Sequence, residues 1–117
     1  MRPPRNATPG QREVKAARMS DVTVRDDPAE LRYEARQGDK LLGEIRYRTE
    51  PGLVVLVHTE VVSSAEGKGV GSELVAAALE DVRSRGLRVV PVCPFVASYV
   101  GRHPEYDDLV AEDPATP

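Results

Sequence analysis

Ala65-Glu66-Gly67-Lys68-Gly69-Val70-Gly71-Ser72-Glu73-Leu74 stands between an apolar run that ends at Val62 and a helical pattern that reaches Arg85. Three glycines at alternate positions, opening a helix, leave several backbone N–H groups bare and let a ligand come close to the main chain. The helix dipole adds partial positive charge at that end and Lys68 adds a full one, so the favoured guest is a phosphate or diphosphate.

What the stretch lacks narrows the ligand. A nucleotide-triphosphatase loop needs a glycine five positions before its Gly-Lys and a Ser or Thr after the lysine for magnesium. Val62 and Gly69 occupy those places, which excludes it. A dinucleotide fingerprint needs a third glycine where Ser72 stands and an acidic residue on the following strand, and residues 87–92 contain no acid. The bland alternative is a glycine-rich turn that only leads the chain into its helix.

The flanks set the loop in a fold. Upstream, Val22 and Val24 alternate with polar neighbours up to the stop at Asp26-Asp27-Pro28, then Leu31, Tyr33 and Ala35 alternate up to the turn Gln37-Gly38-Asp39. A third strand over 41–47 ends at Glu50-Pro51-Gly52, and a fourth, rich in β-branched residues, covers 53–62. Tight connections make these an antiparallel meander. Downstream, Leu74, Val75, Ala78, Leu79 and Val82 form one apolar helical stripe, which Gly86 terminates. Residues 87–93 form a buried fifth strand, parallel to the fourth because a helix crosses between them, and Pro91 loosens its pairing. A short helix follows from Pro94 to Gly101. The expected fold is an α/β domain over residues 21–110, with a mixed sheet of about five strands.

Strict alternation on the fourth strand places Val54, Leu56, His58, Glu60 and Val62 on one face, with Val55, Val57, Thr59 and Val61 on the other. His58 and Glu60 then lie roughly 7 Å apart near the strand's end. Ionisable groups there suit a general base; equally, they mark where the strand emerges into solvent. Cys93, just before a helix N-terminus, is either a thiol of lowered pKa able to carry an acyl group or a small buried hydrophobe.

Four motifs together carry a resemblance. His58-Thr59-Glu60-Val61, Glu66-Gly67-Lys68-Gly69-Val70-Gly71, Val90-Pro91-Val92-Cys93-Pro94-Phe95, and Tyr99 with His103-Pro104-Glu105-Tyr106 resemble, in order and spacing, a small single-domain branch of the GNAT acetyltransferases. The resemblance implies a co-substrate, acetyl-CoA, whose diphosphate is held by Gly67, Lys68, Gly69, Val70, Gly71 and Ser72. It implies that the fourth and fifth strands splay apart and that the acyl-pantetheine arm lies in the gap, along Val61 and Val62 and beside Pro94 and Tyr99. Glu60, directly or through water, would be the base, and His58 is a further catalytic candidate; Tyr99 would protonate the departing thiolate, and Cys93 is an optional acyl relay. The family's usual Gln or Arg at the loop's first position is Glu66 here, a departure that removes one side-chain phosphate contact.

The implied activity is acetyl transfer to an amine on a protein, a peptide or a small cationic molecule. The alternative is a CoA-binding or acyl-CoA-sensing module without turnover. Little chain separates the first two strands, so the acceptor side should be open. His103 and Tyr106 either line its mouth or latch the C-terminal end.

Composition bounds the rest. The 117 residues suffice for one domain with a modest core. Residues 1–20, with five basic side chains against Glu13 and three prolines, are expected to be a disordered basic arm, either a tether or an extension ahead of a more natural start at Met19. The formal charge is −3 for the whole chain and −7 without that arm, which argues against nucleic acid as the main partner. No apolar run matches a membrane helix or a secretory signal, and one cysteine forms no internal disulfide, so a cytoplasmic location is expected. The two histidines lack a ligand-spaced companion, and no metal is expected. A monomer or weak homo-oligomer is expected, with a frayed tail at 111–117.

Overall fold

Alternating β-branched and aromatic residues pair with their nearest neighbours in sequence, and the sheet runs in chain order, β1-β2-β3-β4-β5-β6. The computed structural model describes residues 11–16 and 22–113. Its strands are β1 (Arg12–Ala16), β2 (Val22–Asp27), β3 (Arg32–Gln37), β4 (Lys40–Glu50), β5 (Leu53–Val61) and β6 (Arg88–Pro91). All pairs are antiparallel except β5 with β6, which the helix α1 (Val70–Ser84) joins as a crossover. A second helix, α2 (Pro94–Arg102), and a 3-10 turn, Pro104–Leu109, complete the chain.

The stripe read from the sequence is the face α1 buries. Leu74, Val75, Ala78, Leu79 and Val82 are all buried, against Val24, Tyr33, Ile45 and Leu56 of the sheet. Full burial of Leu74 and Leu79 stabilises the docked helix by about 1.5–3 kcal/mol each. The fifth strand is shorter than expected, Arg88–Pro91 rather than 87–93, because Pro91 has no N–H to continue the ladder.

Three expectations are corrected. The sheet has six strands rather than about five, and the extra one, β1, lies inside the supposed arm. Arg12 holds it there: its guanidinium meets Asp81 of α1 at 2.7 and 2.8 Å and Asp26 at 3.2 Å. Residues 1–10 and 17–20 of that arm lie outside the described residues. The supposed tail starts with an anchored stretch, since Ala111 donates to the Val89 carbonyl at 2.8 Å and Asp113 accepts from Arg48 at 2.8 Å. Residues 114–117 are not among those described.

The third correction concerns faces. Arg46 pairs with His58 but Tyr47 pairs with Leu56, so Val57 is the extra residue of a β-bulge. Two residues opposite one reset the alternation. Val54 and Leu56 enter the core, yet beyond the bulge Thr59, opposite the buried Ile45, and Val61 turn toward α1. His58 and Glu60 take the opposite face, across from Arg46 and Glu44.

Under α1, the buried carboxylates Asp26 and Asp81 are satisfied by the Tyr47 hydroxyl at 2.6 Å and the Tyr33 hydroxyl at 2.7 Å, with Arg12 and Arg85 alongside. Burial works to raise the Asp81 pKa, but Arg12 and Tyr33 outweigh it and hold the carboxyl below its usual range. Glu34 behaves alike: burial is overcome by Arg36 and Arg32, which approach at 2.8 and 2.7 Å.

Candidate functional site

The chain leaves β5 through a 3-10 turn, Ser63–Ala65, and enters α1 through Gly67 and Gly69, at φ 78° and 80°. These left-handed values cost a side-chain-bearing residue roughly 1–2 kcal/mol each. Gly69 caps α1 without any side-chain hydrogen bond. Glu73 is the first of the helix whose N–H is taken, by the Gly69 carbonyl at 3.0 Å. Among the described residues, the N–H groups of 67–72 have no backbone acceptor. Donors left over by the backbone at the positive end of a helix form an anion cradle.

A cavity of about 340 Å³ opens over these amides. Of the expected contact residues, Val61, Gly67, Gly69, Val70, Gly71 and Ser72 line it. Phe95 closes one side, and a Cβ on Gly71 would stand 2.8 Å from its ring, so glycine is required for the two to pack. Lys68 lines an adjoining cavity, while Val62 and Pro94 are exposed outside both.

Next to the loop, β5 and β6 part. Their pairing ends at Leu56 with Pro91, one further bond joins the Cys93 N–H to the Leu56 carbonyl at 2.9 Å, and no β6 residue pairs with 57–61. Within the gap, the Thr59 hydroxyl lies 3.3 Å from the Cys93 sulfur. Cys93 is the N-cap residue of α2 and is buried. Burial alone would raise its thiol pKa; the Thr59 hydroxyl and the backbone N–H groups of Val96 and Phe95 prevail and lower it.

His58 and Glu60 meet each other, Nε2 to Oε1 at 3.1 Å, with side chains 57% and 70% exposed. The bulge puts them on the sheet face away from Thr59, so the two candidate proton carriers and the candidate thiol approach the gap from opposite sides. Tyr99 is buried and stacked on His103, ring centroids 4.0 Å apart, with Tyr106 at 6.3 Å. Burial, then Glu105 and Glu73, raise the Tyr99 pKa. The Tyr106 hydroxyl donates to Glu80 at 2.7 Å. His103 and Tyr106 thereby latch α2 to the body.

Two side chains of the site escape a reading of the sequence. Thr59 was merely a polar alternate of a strand, and only the bulge aims it at Cys93. Phe95 carried a usable signal: a large apolar residue following Cys93-Pro94 at a helix start has an exposed face to fill, and Gly71 leaves the space.

Among the described residues no helix is long and apolar enough to cross a membrane, and no group of three His, Cys, Asp or Glu side chains is placed to hold a metal ion. The family model described as GCN5-related N-acetyl-transferase matches residues 32–109, a span that includes the cradle, the gap and the latch. The backbone is similar to that of a GCN5-like protein from Staphylococcus aureus solved by NMR, at 25% identity and a TM-score of 0.57, over 74% of this chain and 87% of that one. A match over more than half of the chain, on the residues that build the site, assigns it: the chain belongs to the GCN5-related N-acetyltransferase family.

Proposed function

We propose that the protein transfers an acetyl group from acetyl-CoA to an amine acceptor. The observation that carries this reading is the run of amides at 67–72 without a backbone acceptor, beside strands that have parted. A diphosphate matches the cradle in charge and in the number of donors. The backbone of Val61, free of any β6 partner, is available to a pantetheine amide, whereas Val62, also expected there, is engaged by the protein itself: its N–H donates to the Leu42 carbonyl and its carbonyl accepts from the Ala65 N–H, both at 2.9 Å. Acetyl-CoA supplies an acyl group activated as a thioester; this chain's residues hold it and manage protons.

An amine is nucleophilic only when neutral, so a base must take its proton. Glu60 fills that role directly or through one water, with His58 at 3.1 Å able to pass the proton outward. Since both lie on the exposed face, the acceptor enters from that side of the sheet. Tyr99, its hydroxyl without a hydrogen-bond partner among the described residues, returns a proton to the leaving thiolate. The acidic body favours cationic acceptors.

A second route rests on the Thr59 to Cys93 contact. In it the Cys93 thiolate forms the new C–S bond to the acetyl carbon, the bond to the CoA sulfur breaks, and the amine then displaces Cys93 in turn. Calorimetry with acetyl-CoA, followed by measurement of thiol release with a panel of primary amines, tests the function. Binding with amine-dependent release is expected. Absence of binding removes the assignment; binding with no release across peptide termini, lysine peptides and polyamines leaves the acyl-CoA-sensing module in its place. Intact mass after incubation with acetyl-CoA alone separates the routes: an acetyl adduct lost in Cys93→Ala selects the relay, and its absence selects direct transfer.

A further inference from the structure

The register of the parallel pair runs Val54 with Val89, Val55 with Val90 and Leu56 with Pro91, and one step further would set Val57 beside Val92. Val54, Leu56 and Val89 belong to the core under α1, whereas Val55 and Val90 are buried outside it, on the other face of the sheet. Two residues on, alternation returns Val57 and Val92 to that face, where they are 41% and 47% exposed. They leave apolar surface in water at the lip of the gap, next to His58 and on the side of Glu60.

Three other large apolar side chains among the described residues are comparably exposed, and each has its own place. Phe95 walls the diphosphate cradle, Val62 leads into the glycine loop, and Leu31 sits in the turn between β2 and β3. Val57 and Val92 remain, on the face from which the acceptor enters. Charge there is sparse. Glu44, opposite Glu60 in register, is held by Arg32 at 3.0 Å and Arg46 at 2.7 Å, while Glu60 meets the His58 ring. One carboxylate is thus open to one ammonium, and a second ammonium on the same molecule would find Glu44 already neutralised.

Spacing sets the size of the guest. Three residues of strand, about 10 Å, separate Val57 from Glu60. The Glu60 carboxylate is drawn back toward His58, at 3.1 Å, so the ammonium site and the two valines stand a short alkyl chain apart. Two half-exposed valines cover one ring or one branched alkyl group, far short of the roughly 800 Å² per partner that a stable protein interface buries.

We propose that the acceptor is a small primary amine on a short alkyl chain that ends in one apolar group, with the ammonium at Glu60 and the hydrocarbon on Val57 and Val92. This rests on the transferase reading above and selects within it. Glu60 takes the proton, the nitrogen forms its bond to the acetyl carbon, the bond from that carbon to sulfur breaks, and Tyr99 protonates the leaving thiolate.

Thiol release by the full chain at saturating acetyl-CoA tests this, with four acceptors: ethylamine, phenethylamine, spermidine and a tripeptide that begins with phenylalanine. Covering one ring should raise kcat/KM for phenethylamine about 10-fold over ethylamine, chiefly through KM, with spermidine no better than ethylamine. Val92→Thr keeps the branched shape at an exposed position and adds a hydroxyl. It should melt as the parent does and shrink that ratio to about 3-fold, while Val92→Ile should keep or enlarge it. Equal rates for ethylamine and phenethylamine, a ratio unmoved in Val92→Thr, or spermidine as the fastest acceptor overturns the assignment and leaves the transferase reading standing. A tripeptide that outpaces phenethylamine overturns the restriction to small amines. Acetyl-CoA that binds in calorimetry with no thiol released by any of the four overturns both readings.

Discussion

The Thr59 hydroxyl stands 3.3 Å from the Cys93 sulfur, across the gap that opens where β5 and β6 stop pairing. A hydroxyl here stabilises a thiolate and adds nothing to an apolar contact. Thr59→Val should therefore shift the pH midpoint of Cys93 alkylation upward and slow the reaction at neutral pH several-fold, with little loss of thermal stability. An unmoved alkylation profile would mean that the α2 amides alone set the reactivity of this thiol.

Gly71 and Phe95 can be tested as a pair. A Cβ at 71 meets the Phe95 ring at 2.8 Å, although alanine is the better helix former by up to about 1 kcal/mol. Gly71→Ala should leave stability within about 1 kcal/mol of the parent, because the two effects oppose, yet weaken acetyl-CoA binding about 10-fold by pushing the ring into the cradle. Adding Phe95→Leu should recover most of that affinity. Failure of the double variant to recover it would place the ring outside the binding path.

Asp81 makes folding sensitive to acid. Its folded-state pKa lies below the unfolded value of about 3.9, so its contribution is complete above that pH and disappears as pH falls through the lower, folded value. Asp81→Asn should cost about 1–3 kcal/mol in neutral urea melts and flatten the acid limb of a stability–pH curve. A residual acid limb should persist, because Glu34 is depressed in the same direction by Arg36 and Arg32.

Under the proposed chemistry, Glu60→Gln should lower kcat about 100-fold or more with KM for acetyl-CoA nearly unchanged. Its high exposure makes any effect on stability negligible. A fall in affinity instead of turnover would recast Glu60 as a docking residue for a cationic acceptor.

The meander, the crossover helix and the parting near Pro91 were legible because each has a local signature: alternation, a 3.6-residue stripe, and an imino acid without a donor. The face of His58 and Glu60 was not. A bulge is a property of two strands, and nothing in the order Leu56-Val57-His58 shows that Tyr47 and Arg46 will pair on either side of Val57. The first strand was missed for a related reason. Arg12 and Glu13 read as solvated charge until the fold brings a buried Asp81 from 69 positions away.

That first strand gives the start of the chain a structural meaning. A protein begun at Met19 would lack β1, and β2 would present a row of unshared amides and carbonyls to any neighbour able to add a strand. Asp26 and Asp81 would retain their tyrosines and Arg85 but lose Arg12, their nearer counter-charge. What β1 adds is thus less a closed edge, since it is itself the last strand of the sheet, than a cation for two carboxylates that have left water.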